Sequence, residues 1–188
     1  MSLQALLDEY STGKPSVVTV GTFDGVHTGH QSLLKGVVRT AGIPNPPALS
    51  IAITFMEQPR SFLEQDTSVK YLCTLEERLR LIQSMGIDIV LPVEFGSSVQ
   101  MLEPREFLKL LCDKLTMTDF ITGPGATVGK DRAGDAETLA QISSNLGFNL
   151  QSISGANQQG LFVDSSTIRT AITNGRVEEA ANMLGRNF

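Results

Sequence analysis

Gly21-Thr22-Phe23-Asp24-Gly25-Val26-His27-Thr28-Gly29-His30 joins two stretches of different periodicity. Before it, Ser16–Val20 is a short, largely β-branched run that ends at Gly21 and reads as a strand. After it, Leu33, Leu34, Val37 and Val38 recur at helical spacing, so a helix is expected over Thr28–Thr40. Thr28 and Gln31 stand three positions apart, as the partners of a capping box do. Gly25 and Gly29 allow a tight turn and a close approach of backbone to a ligand. A helix that starts directly after a strand presents free N–H groups and the positive end of its dipole, which favours phosphate. His27 and His30 flank that start and are the only histidines in the chain. Both can donate to phosphate oxygens, and protonation near neutral pH would add positive charge. Plain turn chemistry is an equal rival on spacing alone. A shared metal is a weaker one, since a zinc site needs a third ligand.

Outward from this turn, the pattern keeps alternating. Strands are expected at Leu49–Phe55, Ile87–Leu91, Asp119–Thr122 and Phe148–Ile153, with a further short one at Leu161–Val163. A helix follows Thr74, with Glu77 as capping partner, carries Leu75, Leu79 and Ile82 on one stripe and closes at Gly86. Phe107, Leu108, Leu111 and Leu115 mark another, with Pro104 in its first turn. Leu139, Ile142 and Leu146 mark a third that ends at Gly147, and two short helices, near Ser165–Thr173 and Arg176–Leu184, finish the chain. Gly123–Ala133 reads as a glycine-rich loop containing Lys130, Asp131 and Arg132, residues that more often make a solvated loop than a phosphate clamp. Such alternation implies an α/β fold, a mostly parallel sheet with helices on both faces. Ligands then bind beyond the carboxyl ends of the strands, so the loops after Val20, Phe55 and Thr122 are expected to converge.

The 188 residues suit one domain, large enough to need no disulfide or metal to fold. A net charge of −5 argues against a general nucleic-acid binder. Cys73 and Cys112 form no C-x-x-C pair and are expected to be reduced thiols. No run approaches ~18 apolar residues, so no membrane span is expected. The first ten residues carry Asp8 and Glu9 and lack a basic start before an apolar core, which points away from a signal peptide and toward a cytoplasmic protein.

Gly21–His30 resembles the signature G-[NT]-F-D-G-V-H-x-G-H of the bacterial FAD synthetases, the prokaryotic FMN adenylyltransferases of the H-x-G-H nucleotidyltransferase superfamily. The likeness runs along the chain. Thr54-Phe55 before Pro59 looks like the family's T-F-x-P-x-P segment. Phe95 and Glu106-Phe107 fall where the family has a Phe and an E-F pair. Gly123, Gly129, Arg132, Gly134 and Asp135 resemble its glycine-rich loop, and Ser165-Ser166-Thr167-Ile168-Arg169 resembles its S-S-T-x-I-R motif. Gly175–Phe188 is similar to the stretch that ends the adenylyltransferase module.

The resemblance implies a Rossmann-like five-stranded fold over residues 1–188, without the riboflavin kinase domain of bifunctional members. It implies adenylyl transfer from ATP to FMN, giving FAD and pyrophosphate by in-line attack at the α-phosphorus, with Mg²⁺ entering with ATP and no metal held by the protein. Its carry-over makes His27, His30 and Arg169 catalytic, with Arg169 on the β- or γ-phosphate. Gly21, Thr22, Phe23, Asp24, Gly25, Gly29, Ser165 and Ser166 would bind ATP, and Phe55, Pro59 and Val128 the flavin. Read without the resemblance, Ser165-Ser166 is as well a helix cap, Asp24 a turn former and Arg169 a solvated charge. Two segments depart from the pattern. The family's D-F-x-F-G reads Gly125-Ala126-Thr127-Val128-Gly129, without aromatics, and Glu57 sits one position off the family's acidic residue. Both departures face the acceptor, so the alternatives are transfer to a different phosphorylated acceptor or a nucleotide- or flavin-binding module without turnover.

Overall fold

The computed structural model describes residues 3–57, 70–153 and 163–188. Five strands form one sheet: β1 (Ser16–Gly21), β2 (Leu49–Phe55), β3 (Ile89–Val93), β4 (Met117–Thr122) and β5 (Asn149–Ser152). Their order is β3-β2-β1-β4-β5 and every pairing is parallel. The chain moves outward from β1 to β3, then returns to the other side of β1 for β4. The order therefore reverses between β1 and β4, where α/β sheets open a crevice at their carboxyl ends.

The helices are α1 (Leu3–Glu9), α2 (Thr28–Ala41), α3 (Leu75–Ser84), α4 (Pro104–Leu115), α5 (Ala136–Leu146), α6 (Ser165–Thr173) and α7 (Val177–Leu184), with a single turn at Ser97–Gln100. Successive residues of a strand face opposite sides, and β1 divides the core accordingly. Val17 joins Leu34 and Val37 of α2 and Ile82 of α3 on one face. Val18 joins Leu7 of α1, Leu108 and Leu111 of α4 and Leu139 of α5 on the other. With both faces covered, β1 and β2 bury most of their residues, as parallel sheets require. A smaller apolar cluster lies apart, where Ile168, Ala171, Ala180 and Leu184 of α6 and α7 close over Leu72 and Val163.

Several boundaries differ from the sequence reading. β3 starts at Ile89 rather than Ile87. Ile87 is buried ahead of the strand, and the Asp88 carboxylate accepts from Ser50 N–H at 2.8 Å and from the Ser50 hydroxyl at 2.7 Å, so residues 87–88 anchor the lead-in. Pro92 is tolerated because β3 is an edge strand. β4 starts two residues early, at Met117, and β5 is shorter than Phe148–Ile153, with Phe148 buried ahead of it. Of the strand expected at Leu161–Val163, only Val163 lies among the described residues, and it is not in a strand. α1 was not anticipated, since only Leu3 and Leu7 mark its buried face.

The Ser50–Asp88 contact is testable. Asp88→Ala strands a buried Ser50 donor pair and is expected to cost ~1–3 kcal/mol in urea unfolding. An unchanged urea midpoint would remove the anchoring role.

Candidate active site

The turn after β1 folds on an unusual backbone. Phe23 and Val26 have φ of 50° and 38°, and Gly25 between them has 77°. A left-handed non-glycine residue costs ~1–3 kcal/mol and persists only where its surroundings over-determine it. Here both side chains are buried in the α2-side core. The Phe23 ring folds back over Gly21, where an added Cβ would lie 3.0 Å from it, so position 21 admits only glycine without a shift. The Thr54 hydroxyl at the end of β2 donates to Thr22 O at 3.0 Å and ties the turn to the next strand.

α2 begins differently from the sequence reading. Its cap is His27, whose Nδ1 accepts from His30 N–H at 3.3 Å. Thr28 and Gln31 do not form a capping box. The Thr28 hydroxyl donates to Met183 O at 3.0 Å, and Gln31 Nε2 donates at 2.9 Å to both Val26 O and Leu184 O. These two side chains instead bind the first turn of α2 to the end of α7.

The His27 and His30 rings stack at 3.6 Å with 22° between their planes, and Phe23 meets His30 edge-on at 5.2 Å. Because His27 accepts at Nδ1, its proton sits on Nε2 in the neutral ring. His30 Nδ1 is buried and has no partner among the described residues. The expected protonation near neutral pH is not what this environment gives. Burial, against the pull of Asp164 and Asp24, lowers His27 to about 4. Burial, then His27 and Arg78, hold His30 well below the ordinary imidazole range. Both rings are therefore neutral donors at neutral pH.

Asp24 is buried, and its carboxylate pairs with the Arg169 guanidinium of α6. Its Oδ1 also accepts from Leu72 N–H at 3.0 Å. Arg169 Nε donates to Lys70 O at 2.7 Å, and the Ser165 hydroxyl donates to Asp24 O at 3.0 Å. Asp164, not Ser165, caps α6, accepting from Thr167 N–H at 2.8 Å. Ser166 is exposed. Gly25 faces protein: an added Cβ would lie 2.8 Å from Leu72, its N–H donates to Cys73 Sγ at 3.3 Å, and its carbonyl accepts from Arg186 at 2.8 Å.

The structure thus gathers Gly21 to His30, Ser165 and Arg169 at one end of β1, while turning Phe23 and Gly25 into the interior. At the end of β2, Phe55, expected to meet the flavin, meets Phe95 edge-on at 5.2 Å. Val128 pairs through its backbone with Gly134 and packs its side chain on the α4-side core. Gly129 lies so close to Pro104 that a Cβ would come within 2.6 Å of its nitrogen. Pro59 lies outside the described residues. Among the described residues no three His, Cys, Asp or Glu side chains converge as a metal site, and no helix is long and apolar enough to cross a membrane.

Sequence reasoning missed the bond from Thr54 to the turn, Gln31's outward reach, Arg186's hold on Gly25 and Arg78. Arg78 had a signal: it interrupts the apolar stripe Leu75–Leu79–Ile82 on α3. It is 1% exposed, and its NH1 donates to Phe55 O at 2.6 Å.

A parallel sheet whose first crossover helix is capped by His27, with His30 stacked on it beside the switch point, has the form of an α/β domain of the H-x-G-H nucleotidyltransferase class. The FAD synthetase family model matches residues 10–167, and the chain belongs to that family. Bifunctional riboflavin kinase/FMN adenylyltransferases resemble it over 92% of its length. The one from Buchnera aphidicola subsp. Schizaphis graminum is 34% identical and the one from Escherichia coli strain K12 is 30% identical. The chain spans about half the length of these curated relatives, 55% in both cases. Among solved structures, a Streptococcus pneumoniae chain described as a macrolide-efflux protein superposes with TM-score 0.78 and 26% identity, covering 93% of this chain and 56% of that one. Thermotoga maritima TmcAL bound with alpha-thio ATP shares the fold, with TM-score 0.55 and 14% identity over 90% of this chain and 52% of that one.

The buried histidines set a pH dependence. The unfolded chain takes up a proton on His27 near the ordinary imidazole value of 6.5 and the folded chain only near about 4, so acid favours unfolding. Stability is full above pH ~6.5 and falls toward pH ~4, by ~3 kcal/mol for a fully expressed difference. His27→Gln is expected to flatten the slope of unfolding free energy across that window in urea titrations at stepped pH. Parallel slopes for the two proteins would rule out the neutral buried imidazole.

Proposed function

We propose that this chain transfers the adenylyl group of ATP to FMN, giving FAD and pyrophosphate. The observation that carries the reading is the stacked His27–His30 pair at the start of α2, beside the switch point, in a chain of the FAD synthetase family. An FMN phosphate oxygen attacks the α-phosphorus and forms the new P–O bond. The bond from that phosphorus to the bridging oxygen breaks, and pyrophosphate leaves with the electron pair. No covalent enzyme intermediate is needed, so the protein's contribution is positioning and stabilisation of charge.

His27 offers its Nε2–H to the polyphosphate, and His30 works beside it as a second neutral donor. Neutral donors fixed by stacking lose little reorganisation energy when charge develops. Gly21, Thr22, Asp24 and Gly29 form the wall against which the nucleotide lies, with Phe23 and Gly25 shaping that wall from within. Ser166 presents a free-facing hydroxyl at the start of α6, and Ser165 holds the turn through Asp24 O. Arg169 must exchange part of its contact with Asp24 for the β- or γ-phosphate, which its planar fork suits. Mg²⁺ enters as part of the MgATP substrate and keeps several waters. Phe55, with Phe95 edge-on to it, lines the acceptor side.

The direct test is FMN with MgATP and the purified chain. Equal amounts of FAD and pyrophosphate are expected, and neither product under saturating substrates rejects the reaction. His30→Ala is expected to lower kcat by ~10²–10³, the usual loss for one transition-state donor, with an unchanged thermal midpoint. Wild-type turnover in that variant would remove His30 from the chemistry.

A second reading has its own observation. Val128 packs on the core, and residues 125–128 offer no ring for an isoalloxazine to stack on. Turnover with another phosphorylated acceptor but not FMN would favour a different nucleotidyltransferase. ATP binding in calorimetry without turnover on any acceptor would favour a module that only binds.

A further inference from the structure

Arg78 stands one turn into α3, with its backbone N–H bonded to Thr74 O at 3.0 Å. A guanidinium carries five N–H donors and is almost never fully buried unless paired. This one is 1% exposed and, among the described residues, its side chain makes one hydrogen bond, to Phe55 O. Its Nε is buried and has no partner among the described residues. The Tyr71 ring lies 5.7 Å from its carbon centre, a contact that tolerates the charge and does not neutralise it. The ion pairs of the described residues use Lys109, Lys114, Arg169 and Arg176, so no described carboxylate pairs with Arg78.

The charges around the site make this meaningful. His27 and His30 are neutral. Arg169 is matched by Asp24. Arg186 holds the Gly25 carbonyl, and Asp164 lies near His27 with a negative charge. Arg78 is the buried positive charge left without a counter-ion among the described residues. A charge in a low-dielectric interior is screened far less than a surface one. Its influence already reaches His30, where it opposes protonation after burial and His27.

We propose that Arg78 is the fixed cation of the nucleotide site, a positioning residue whose uncompensated buried charge holds a phosphate oxyanion beside His30. The proposal rests on the adenylyltransferase reading for which phosphate ester arrives, and not for anion binding itself. It explains why a full charge interrupts the apolar stripe of α3. Removing a buried, unpaired charge generally stabilises a protein, whereas removing one half of a pair destabilises it. An arginine kept for its field therefore leaves a signature that a structural arginine does not.

The test is calorimetric titration of inorganic pyrophosphate into wild type, Arg78→Met and Arg78→Lys, with thermal unfolding of each. Arg78→Met is expected to bind pyrophosphate at least ~10-fold more weakly while its thermal midpoint holds or rises. Arg78→Lys keeps the charge and is expected to stay within ~3-fold of wild type, since lysine also serves as a phosphate-binding point charge. Should Arg78→Met fail to fold, Arg78→Gln removes the charge while keeping a donor for Phe55 O, and the same thresholds apply. Equal affinities in wild type and the neutral variant, a lysine variant as weak as the neutral one, or no pyrophosphate binding by wild type would each overturn the proposal. Arg78-dependent pyrophosphate binding without FAD formation would sink the proposed reaction and leave the anchor standing. FAD formation by Arg78→Met with wild-type kcat and KM for ATP would do the reverse.

Discussion

The Asp24 carboxylate, buried and paired with Arg169, is the constraint on which the site depends. A carboxylate removed from water must find cations and donors or become neutral. Asp24 finds them on two separate segments, Leu72 N–H before α3 and the guanidinium on α6. Those bonds pull both segments onto the turn after β1. The turn can then keep a left-handed Phe23 and Val26, and Gly25 can sit against Leu72 without a side chain. Breaking a buried pair by removing one partner typically costs ~3–5 kcal/mol, far more than any single turn conformation would supply.

The βα unit was legible in the sequence because periodicity and glycine placement are local signals. The strand end at Gly21, the start of α2 and its position beside the switch point all follow from residues within one short stretch. The protonation of the histidines was not legible, since it depends on burial by residues far along the chain. Thr28 and Gln31 matched a capping box in spacing, yet their side chains reach carbonyls about 150 positions away. Local pattern cannot register such a competitor. The Ile87 boundary failed for a similar reason: Asp88 is bonded to Ser50 across the sheet end and delays the strand. Val128 was expected to line a flavin site, and it sits in a bridge to Gly134 with its side chain on the core. Arg78 was readable in principle, as a charge on an apolar stripe, but its significance requires knowing that nothing charged opposes it among the described residues.

The electrostatic design separates donors from charge. The stacked imidazoles are neutral and directional, and they supply hydrogen bonds where geometry matters. Positive charge lies behind them or is held in a pair. A neutral donor pair does not attract every anion strongly, so a ligand must fit the geometry before it gains from the field. The site holds its imidazoles neutral at neutral pH. Its polar groups are thus insulated from small pH changes above the ordinary imidazole range.

The bonds that close the site also have an order in time. Asp24 and Arg169 are 145 positions apart, and Gly25 and Arg186 are 161 apart. Synthesis proceeds from the amino end, so β1 and α2 emerge long before either partner exists. Until α6 and α7 follow, Asp24 lacks its counter-ion and the first turn of α2 lacks the carbonyls of residues 183 and 184. A growing chain can lay down most of its sheet, but the turn after β1 cannot close until α6 and α7 arrive. Domains rich in such distant pairings fold slowly, because chain entropy is spent before the contact rewards it. The closed form of this turn is therefore withheld by topology alone until the residues around Arg169 and Arg186 have been made.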